Sequence, residues 1–227
     1  MNEKRNKGDF SFDTIESFDE HIGTSIPRYK DIHACIDGML QYFVVDGSKI
    51  VDLGCSTGSL LTRIDKKYHD KDLVLHGYDS SKNLLPSDSS GRAHFFLNDI
   101  TDEELWDEMK KSDIIFSIFT LCFIPYAERR ELVQNVYYNL NDGGVFIFTD
   151  KVYASDPRIQ DIFTFLYYDF KRQTYTSEQI LDKEISLREI QKPLTTEQNY
   201  DMLSDAGFDR VESFWKYYNF QGWICIK

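Results

Sequence analysis

Hydrophobic positions recur at three- and four-residue steps through Phe12, Ile15, Phe18 and Ile22, then through Tyr29, Ile32, Ile36, Met39, Leu40 and Phe43. That spacing lays apolar side chains along one helix face, and Pro27 divides the stretch from Phe10 to Phe43 into two helices. Asp46-Gly47 then turns the chain into a β-branched run, Lys49 to Leu53. From here the two periods alternate. Short apolar runs predict strands at 73–78, 93–97, 113–118 and 144–149; helical spacing predicts helices at 58–67, 102–110 and 127–139. Helices are expected again around 156–171, 177–190 and 195–206, followed by strands near 209–216 and 219–226.

Strand–helix alternation with short connections implies an α/β fold with a doubly wound, mostly parallel sheet, here of seven strands. Only Tyr217-Tyr218-Asn219 joins the two closing strands, too few residues for a crossover helix, so the last strand must run antiparallel. The pattern reads as a single domain over 1–227. Its polar first nine residues are expected to be disordered, and helical additions are expected at 10–43 and 155–193.

Composition narrows the function classes. The net charge of -12 argues against direct nucleic-acid or anionic-membrane binding. No apolar run reaches the ~20 residues needed to span a bilayer, and Met1-Asn-Glu-Lys-Arg is too polar to open a signal peptide. Cys35, Cys55, Cys122 and Cys225 are scattered, and His21, His33, His69, His76 and His94 lack ligand spacing; reduced thiols in a cytoplasmic protein and no metal are expected. Aromatic residues, 15% of the chain, concentrate between Phe163 and Phe220, where they could form core, pocket wall or subunit interface.

Within this frame Ile50-Val-Asp-Leu-Gly-Cys-Ser-Thr-Gly58 carries the chemistry. A strand enters a turn of small residues, and the helix that follows offers free N–H groups to a ligand. Gly54 and Gly58 lie four apart, unlike the spacing of dinucleotide or phosphate loops. Asp52 precedes the turn, where a carboxylate suits a bound ammonium. Asp79 comes 27 positions later at a strand end, where an acid can take both ribose hydroxyls. Ribose plus a zwitterionic amino acid, without phosphate, points to S-adenosylmethionine (SAM) or S-adenosylhomocysteine. Ser80 extends that strand end. Asp99-Ile100, after Phe95-Phe96-Leu97, suits an adenine amino group and ring nitrogen, although Asp99 also reads as a helix cap.

Together these residues resemble a class I SAM-dependent methyltransferase, and more narrowly the carboxy-S-adenosylmethionine (carboxy-SAM) synthase family. That family converts SAM and prephenate into a carboxymethyl sulfonium used in modifying the tRNA wobble uridine. The similarity runs from about Phe12 to Lys227. It includes Ser25-Ile-Pro-Arg-Tyr, Phe119-Thr-Leu, Leu140-Asn-Asp-Gly-Gly, Asp169-Phe-Lys-Arg and Ala206-Gly-Phe. The resemblance implies SAM contacts at Tyr29, Gly54, Cys55, Ser56, Asp79, Ser80, Asp99 and Ile100, and it implies a homodimer.

Two departures bear on the reaction. Ile118 stands where the family has a polar asparagine, and Asp182-Lys183-Glu184 aligns with a Gln-Lys-Arg whose arginine grips the added carboxylate. Arg188, one helical turn on, is a candidate to take over part of that arginine's role. A glutamate beside the sulfonium would repel a carboxylate by about 4 kcal/mol at 4 Å and an effective dielectric of ~20, and would favour unmodified SAM over carboxy-SAM. Candidates for chemistry around the crevice are Tyr29, Tyr167, Tyr168, Asp169, Lys171, Arg172 and Glu184, with Tyr29, Tyr167, Tyr168 and Glu184 foremost; Tyr167-Tyr168 stands where the family has a histidine pair. Lys171-Arg172 reads as solvated charge, a dimer salt bridge or an anchor for an anionic substrate, with an interface or folding role the leading expectation. The leading expectation is a SAM-dependent transferase acting on a small-molecule acceptor. The alternatives are an authentic carboxy-SAM synthase with a relocated anchor, and a SAM-binding subunit without turnover.

Overall fold

A computed structural model of the chain describes residues 18–86 and 91–227. The expectations for the first nine residues, Phe12 and Ile15 lie outside them. Helices α1 (Phe18–Ser25) and α2 (Tyr29–Leu40) precede β1 (Lys49–Leu53), α3 (Ser59–Lys67), β2 (Val74–Asp79), β3 (Ala93–Leu97), α4 (Glu103–Glu108) and β4 (Ser112–Ile118). After a single 3-10 turn at Leu121–Phe123 come α5 (Tyr126–Asn139) and β5 (Leu140–Tyr153). The chain closes with α6 (Pro157–Lys171), α7 (Ser177–Leu187), β6 (Leu194–Thr195), α8 (Thr196–Ala206), β7 (Arg210–Tyr217) and β8 (Phe220–Ile226).

The sheet order is β3-β2-β1-β4-β5-β8-β7, so the expected seven strands are present. Strands β1 to β5 pair in parallel, and β8 runs antiparallel to both β5 and β7. The order reverses between β1 and β4, the switch at which α/β sheets open a ligand crevice. One pairing was not expected: Leu194–Thr195 adds in parallel to the tail of β5 at Val152 and Tyr153. Two residues are too few to show an alternating pattern. Strand β5 also begins earlier than expected, at Leu140, with a register shift between Ser112 and Ile114 of its neighbour.

Each sheet face carries its own apolar layer. On one side Phe146, Phe148 and Trp223 stack face to face at 5.1 and 4.6 Å and meet Leu132, Val136 and Leu203 from α5 and α8. On the other, Ile32, Ile36, Leu61 and Ile64 from α2 and α3 pack on Ile50, Ile114 and Ile147. Burying a large aliphatic side chain contributes about 1.5–3 kcal/mol, so these layers hold the strand ends in register. Among the described residues no helix is long and apolar enough to cross a membrane.

Candidate functional site

One cavity of about 490 Å³ opens over the carboxyl ends of the parallel strands. Tyr29, Asp52, Gly54, Cys55, Ser56, Asp79, Ser80, Asp99, Ile100, Ile118 and Tyr167 all line it. Gly58, Tyr168 and Glu184 are not part of its lining.

Strand length explains why the acids converge. Asp52 is the penultimate residue of β1 and Asp79 the last of β2, and these strands pair Asp52 with Gly77. Asp79 Oδ2 accepts the Ser56 amide at 2.8 Å and Oδ1 accepts the Ser81 amide at 2.8 Å. Two backbone donors thus fix this carboxylate at the cavity edge. Asp52 is 3% exposed and its Oδ1 has no hydrogen-bond partner. Burial, helped by the neighbouring Asp79 charge and opposed by Arg63, pushes its carboxyl up to about 7. The Ser56 hydroxyl is likewise buried and unpartnered. Such orphaned groups, a hydroxyl and a carboxylate facing one cavity, fit a ligand that brings hydrogen-bond donors of its own.

Gly54 and Gly58 serve the turn in a way spacing did not show. Both have positive φ, 78° and 68°. A Cβ on Gly54 would collide with the Thr120 side chain, and one on Gly58 with the Phe95 ring. The glycines therefore admit neighbouring side chains of the protein; Gly58 acts through packing and not as lining. Asp99 does not cap α4 directly. Asp102 occupies that position, while Asp99 Oδ1 accepts the Thr101 amide at 2.9 Å and its hydroxyl at 2.8 Å. The preceding strand end and this turn leave Asp99 exposed at the cavity rim.

Helix α2 supplies Tyr29, whose ring meets His33 edge-on at 4.4 Å. Arg63 of α3 reaches His33 at 2.9 Å and Asp37 at 3.2 Å, which ties α2 to the wall of the site. Phe119, at the end of β4, has φ of 58°, a strained conformation for a bulky residue, and its ring packs against Tyr29 and Phe220.

The charge expected at the far wall is reversed. Glu184 is turned into an ion pair with Lys151 at 3.8 Å, both largely buried, and the groups that reach the cavity are Lys151, Lys171 and Lys183. Burial and the nearby Lys171 charge push Lys183 down to about 8. Glu184 therefore stands behind the lining, where its charge acts on Lys171 and Tyr167. Tyr167 is buried with its hydroxyl donating to Ser25 O at 2.9 Å, and burial raises its pKa well above the ordinary phenol value. It is a packed wall, whereas Tyr168 is not part of the lining and packs on the cluster behind it. Lys171 and Arg172 also separate: Arg172 is exposed and pairs with Asp169 at 2.6 Å, while Lys171 is 4% exposed and faces inward. Lysines 151 and 183 and Phe220 were not singled out from sequence as lining residues. Only Lys151 carried a signal, as a charge at the carboxyl end of an apolar strand.

A sheet of this order with an antiparallel hairpin at one edge, and a crevice of strand-end acids, defines a class I methyltransferase fold. Solved structures bear out the fold. Human N-acetylserotonin methyltransferase in complex with SAM aligns at a TM-score of 0.56 and 14% identity, over 87% of this chain and 51% of that one. A putative Haloferax volcanii methyltransferase, solved with the Trm112 activator, aligns at 0.57 and 14% identity over 87% and 91%. In sequence, the family described as "Methyltransferase domain" matches residues 51–146. The carboxy-SAM synthase of Campylobacter lari is 32% identical over 96% of this chain and 94% of its own, and that of Staphylococcus epidermidis 33% over 94% of each. The chain belongs to the carboxy-S-adenosyl-L-methionine synthase family and is a SAM-dependent transferase of that group.

Proposed function

We propose that SAM occupies the crevice at the ends of β1, β2 and β3, and that a small, negatively charged molecule enters the same cavity from the lysine-bearing wall. The observation that carries this reading is the unpartnered Asp52 Oδ1 beside an Asp79 carboxylate already fixed by two amides, opposite three inward lysines. Asp52 would hold the ammonium of the amino-acid part, Asp79 the ribose hydroxyls, and Asp99 with the Ile100 amide the adenine edge; Ser56 and Ser80 would add hydroxyl contacts. Gly54 and Gly58 shape the turn, Cys55 closes its floor, and Tyr29 and Ile118 bound the region of the sulfonium. When bound, SAM supplies an activated one-carbon unit on a positively charged sulfur.

The protein's own contribution is positional. Aromatic walls from Tyr29, Phe119, Tyr167 and Phe220 exclude water, and the lysines orient the acceptor toward the crevice. Tyr167 has no role as a base here, because its proton is engaged by Ser25 O and its pKa is raised. The unpaired cysteines support a reducing, cytoplasmic setting. A homodimer is part of the same reading. Ile159, Ile162, Phe165 and Leu166 of α6, with Leu181 and Ile185 of α7, expose an apolar face larger than a lone cap needs.

Mass analysis of the ligand that copurifies, followed by incubation with SAM and prephenate, tests the proposal. Bound SAM or S-adenosylhomocysteine without carboxy-SAM formation is the expected result. Efficient carboxy-SAM production by the unaltered protein would assign it the reaction that its relatives' names describe.

A further inference from the structure

We propose that Lys171 is the specificity-determining cation of this cavity, its ammonium forming the seat for a carboxylate on the second substrate. The inference rests on the reading of a shared cavity and names the residue that selects what enters it.

Lys171 ends α6 with its side chain 4% exposed, yet it lines the cavity. Among the described residues its ammonium makes no hydrogen bond and no ion pair. It lies 5.6 Å from the Tyr167 ring centroid and 5.1 Å from that of Tyr175, so two aromatic faces wall it. Those faces attract a cation, and the end of a helix favours one, but neither satisfies three N–H donors. The ammonium opens onto the cavity, so its N–H donors are available to whatever enters it.

The neighbouring charges supply its counter-charge only in part. Glu184 is the nearest acid acting on Lys171, and it is already held by Lys151, which also donates to Gln191 Oε1 at 3.2 Å. Lys151 thus has direct protein partners, and Lys171 has two rings and the pull of the Glu184 charge without an ion pair. Lys151, Lys171 and Lys183 bring their charge to this side of the cavity, and Glu184 is paired with the first of them. One unsatisfied ammonium matches a single carboxylate. Its aromatic and aliphatic surroundings, Tyr167 and Phe220 among them, suit a small organic acid with an apolar body.

Benzoate and benzamide, alike in shape and different in charge, are the probes, titrated calorimetrically into protein saturated with S-adenosylhomocysteine. Benzoate should bind about tenfold or more tightly than benzamide, the size of a charge-assisted contact. Lys171→Met should abolish that preference and Lys171→Arg retain part of it, with S-adenosylhomocysteine affinity held within about twofold in both because the crevice residues are untouched. Equal binding of acid and amide, or a preference that survives Lys171→Met, overturns the proposal. A protein that binds benzoate selectively but not S-adenosylhomocysteine would sink the crevice assignment and leave the Lys171 seat standing. Binding of S-adenosylhomocysteine with neither probe would do the reverse. Peptide mapping after amine acylation of the unaltered protein needs no variant to fold: benzoate, and not benzamide, should protect Lys171, and absence of protection also overturns the seat.

Discussion

Asp79 Oδ2 accepts the backbone amide of Ser56 at 2.8 Å, so the acid that ends the second strand also shapes the turn that follows the first. Ser56 stands there with φ of 49°, an unfavourable conformation for a side-chain-bearing residue that the Asp79 contact helps hold. One carboxylate therefore has two tasks, turn and ligand.

Replacing Asp79 by alanine should weaken S-adenosylhomocysteine binding at least tenfold, since charge-assisted hydrogen bonds of ~1.5–3 kcal/mol each are lost together with the turn. Calorimetry on Asp79→Ala and Asp79→Asn measures this. Unchanged affinity in the alanine variant would remove the ribose assignment.

Asp52 makes stability depend on pH. Its folded pKa of about 7 lies above the ordinary carboxylate value, so the unfolded chain loses this proton first. The contribution is fully present below about pH 4 and is lost as pH rises through 7. Asp52→Asn should therefore raise the melting temperature of ligand-free protein at pH 8, by an effect of order 2–4 kcal/mol, and do little at pH 4. The same variant should bind S-adenosylhomocysteine more weakly. In the unaltered protein, binding should release a proton below pH 7 and weaken by about tenfold from pH 8 to pH 6. Titration in buffers of different ionisation enthalpy reads that proton directly; its absence would detach Asp52 from the ammonium.

Gly58→Ala should destabilise the fold by two separable effects, a left-handed φ costing about 1–2 kcal/mol and the collision with Phe95. Phe95→Ala in the same chain should relieve the collision and leave the backbone cost. A denaturation double-mutant cycle that showed plain additivity would refute the packing explanation.

The apolar face of α6 and α7 should pair two copies of the chain. Light scattering at micromolar concentration is expected to give a dimer, and Phe165→Glu with Leu181→Glu a monomer that still binds S-adenosylhomocysteine; both residues are more than half exposed, at 61% and 58%. A monomeric unaltered protein would end this reading.

The strand-end residues were legible from sequence because an apolar run fixes where a strand stops, and with it where Asp52, Asp79 and Asp99 face. Helix facing in the segment after β5 was less legible. Tyr167 and Tyr168 are neighbours in sequence about 100° apart on a helix, and only packing decides which turns inward. Glu184 was read as an acid beside the ligand because alignment places a residue along the chain, not its carboxylate in space. Lys171 was read together with Arg172 as chiefly an interface or folding element, because sequence does not show that one turns inward among aromatic rings and the other stays in water.

The two-residue strand Leu194–Thr195 clips onto Val152 and Tyr153, so the segment bearing α6 and α7 leaves and rejoins the sheet at one stem. It behaves as a cassette whose ends are already joined. Tyr167, Lys171 and Lys183 ride on it, whereas the three acids of the crevice belong to β1, β2 and the loop after β3. Grafting a different cassette onto that stem would exchange the acceptor wall while leaving the nucleoside side intact, a route by which one scaffold can acquire new acceptors.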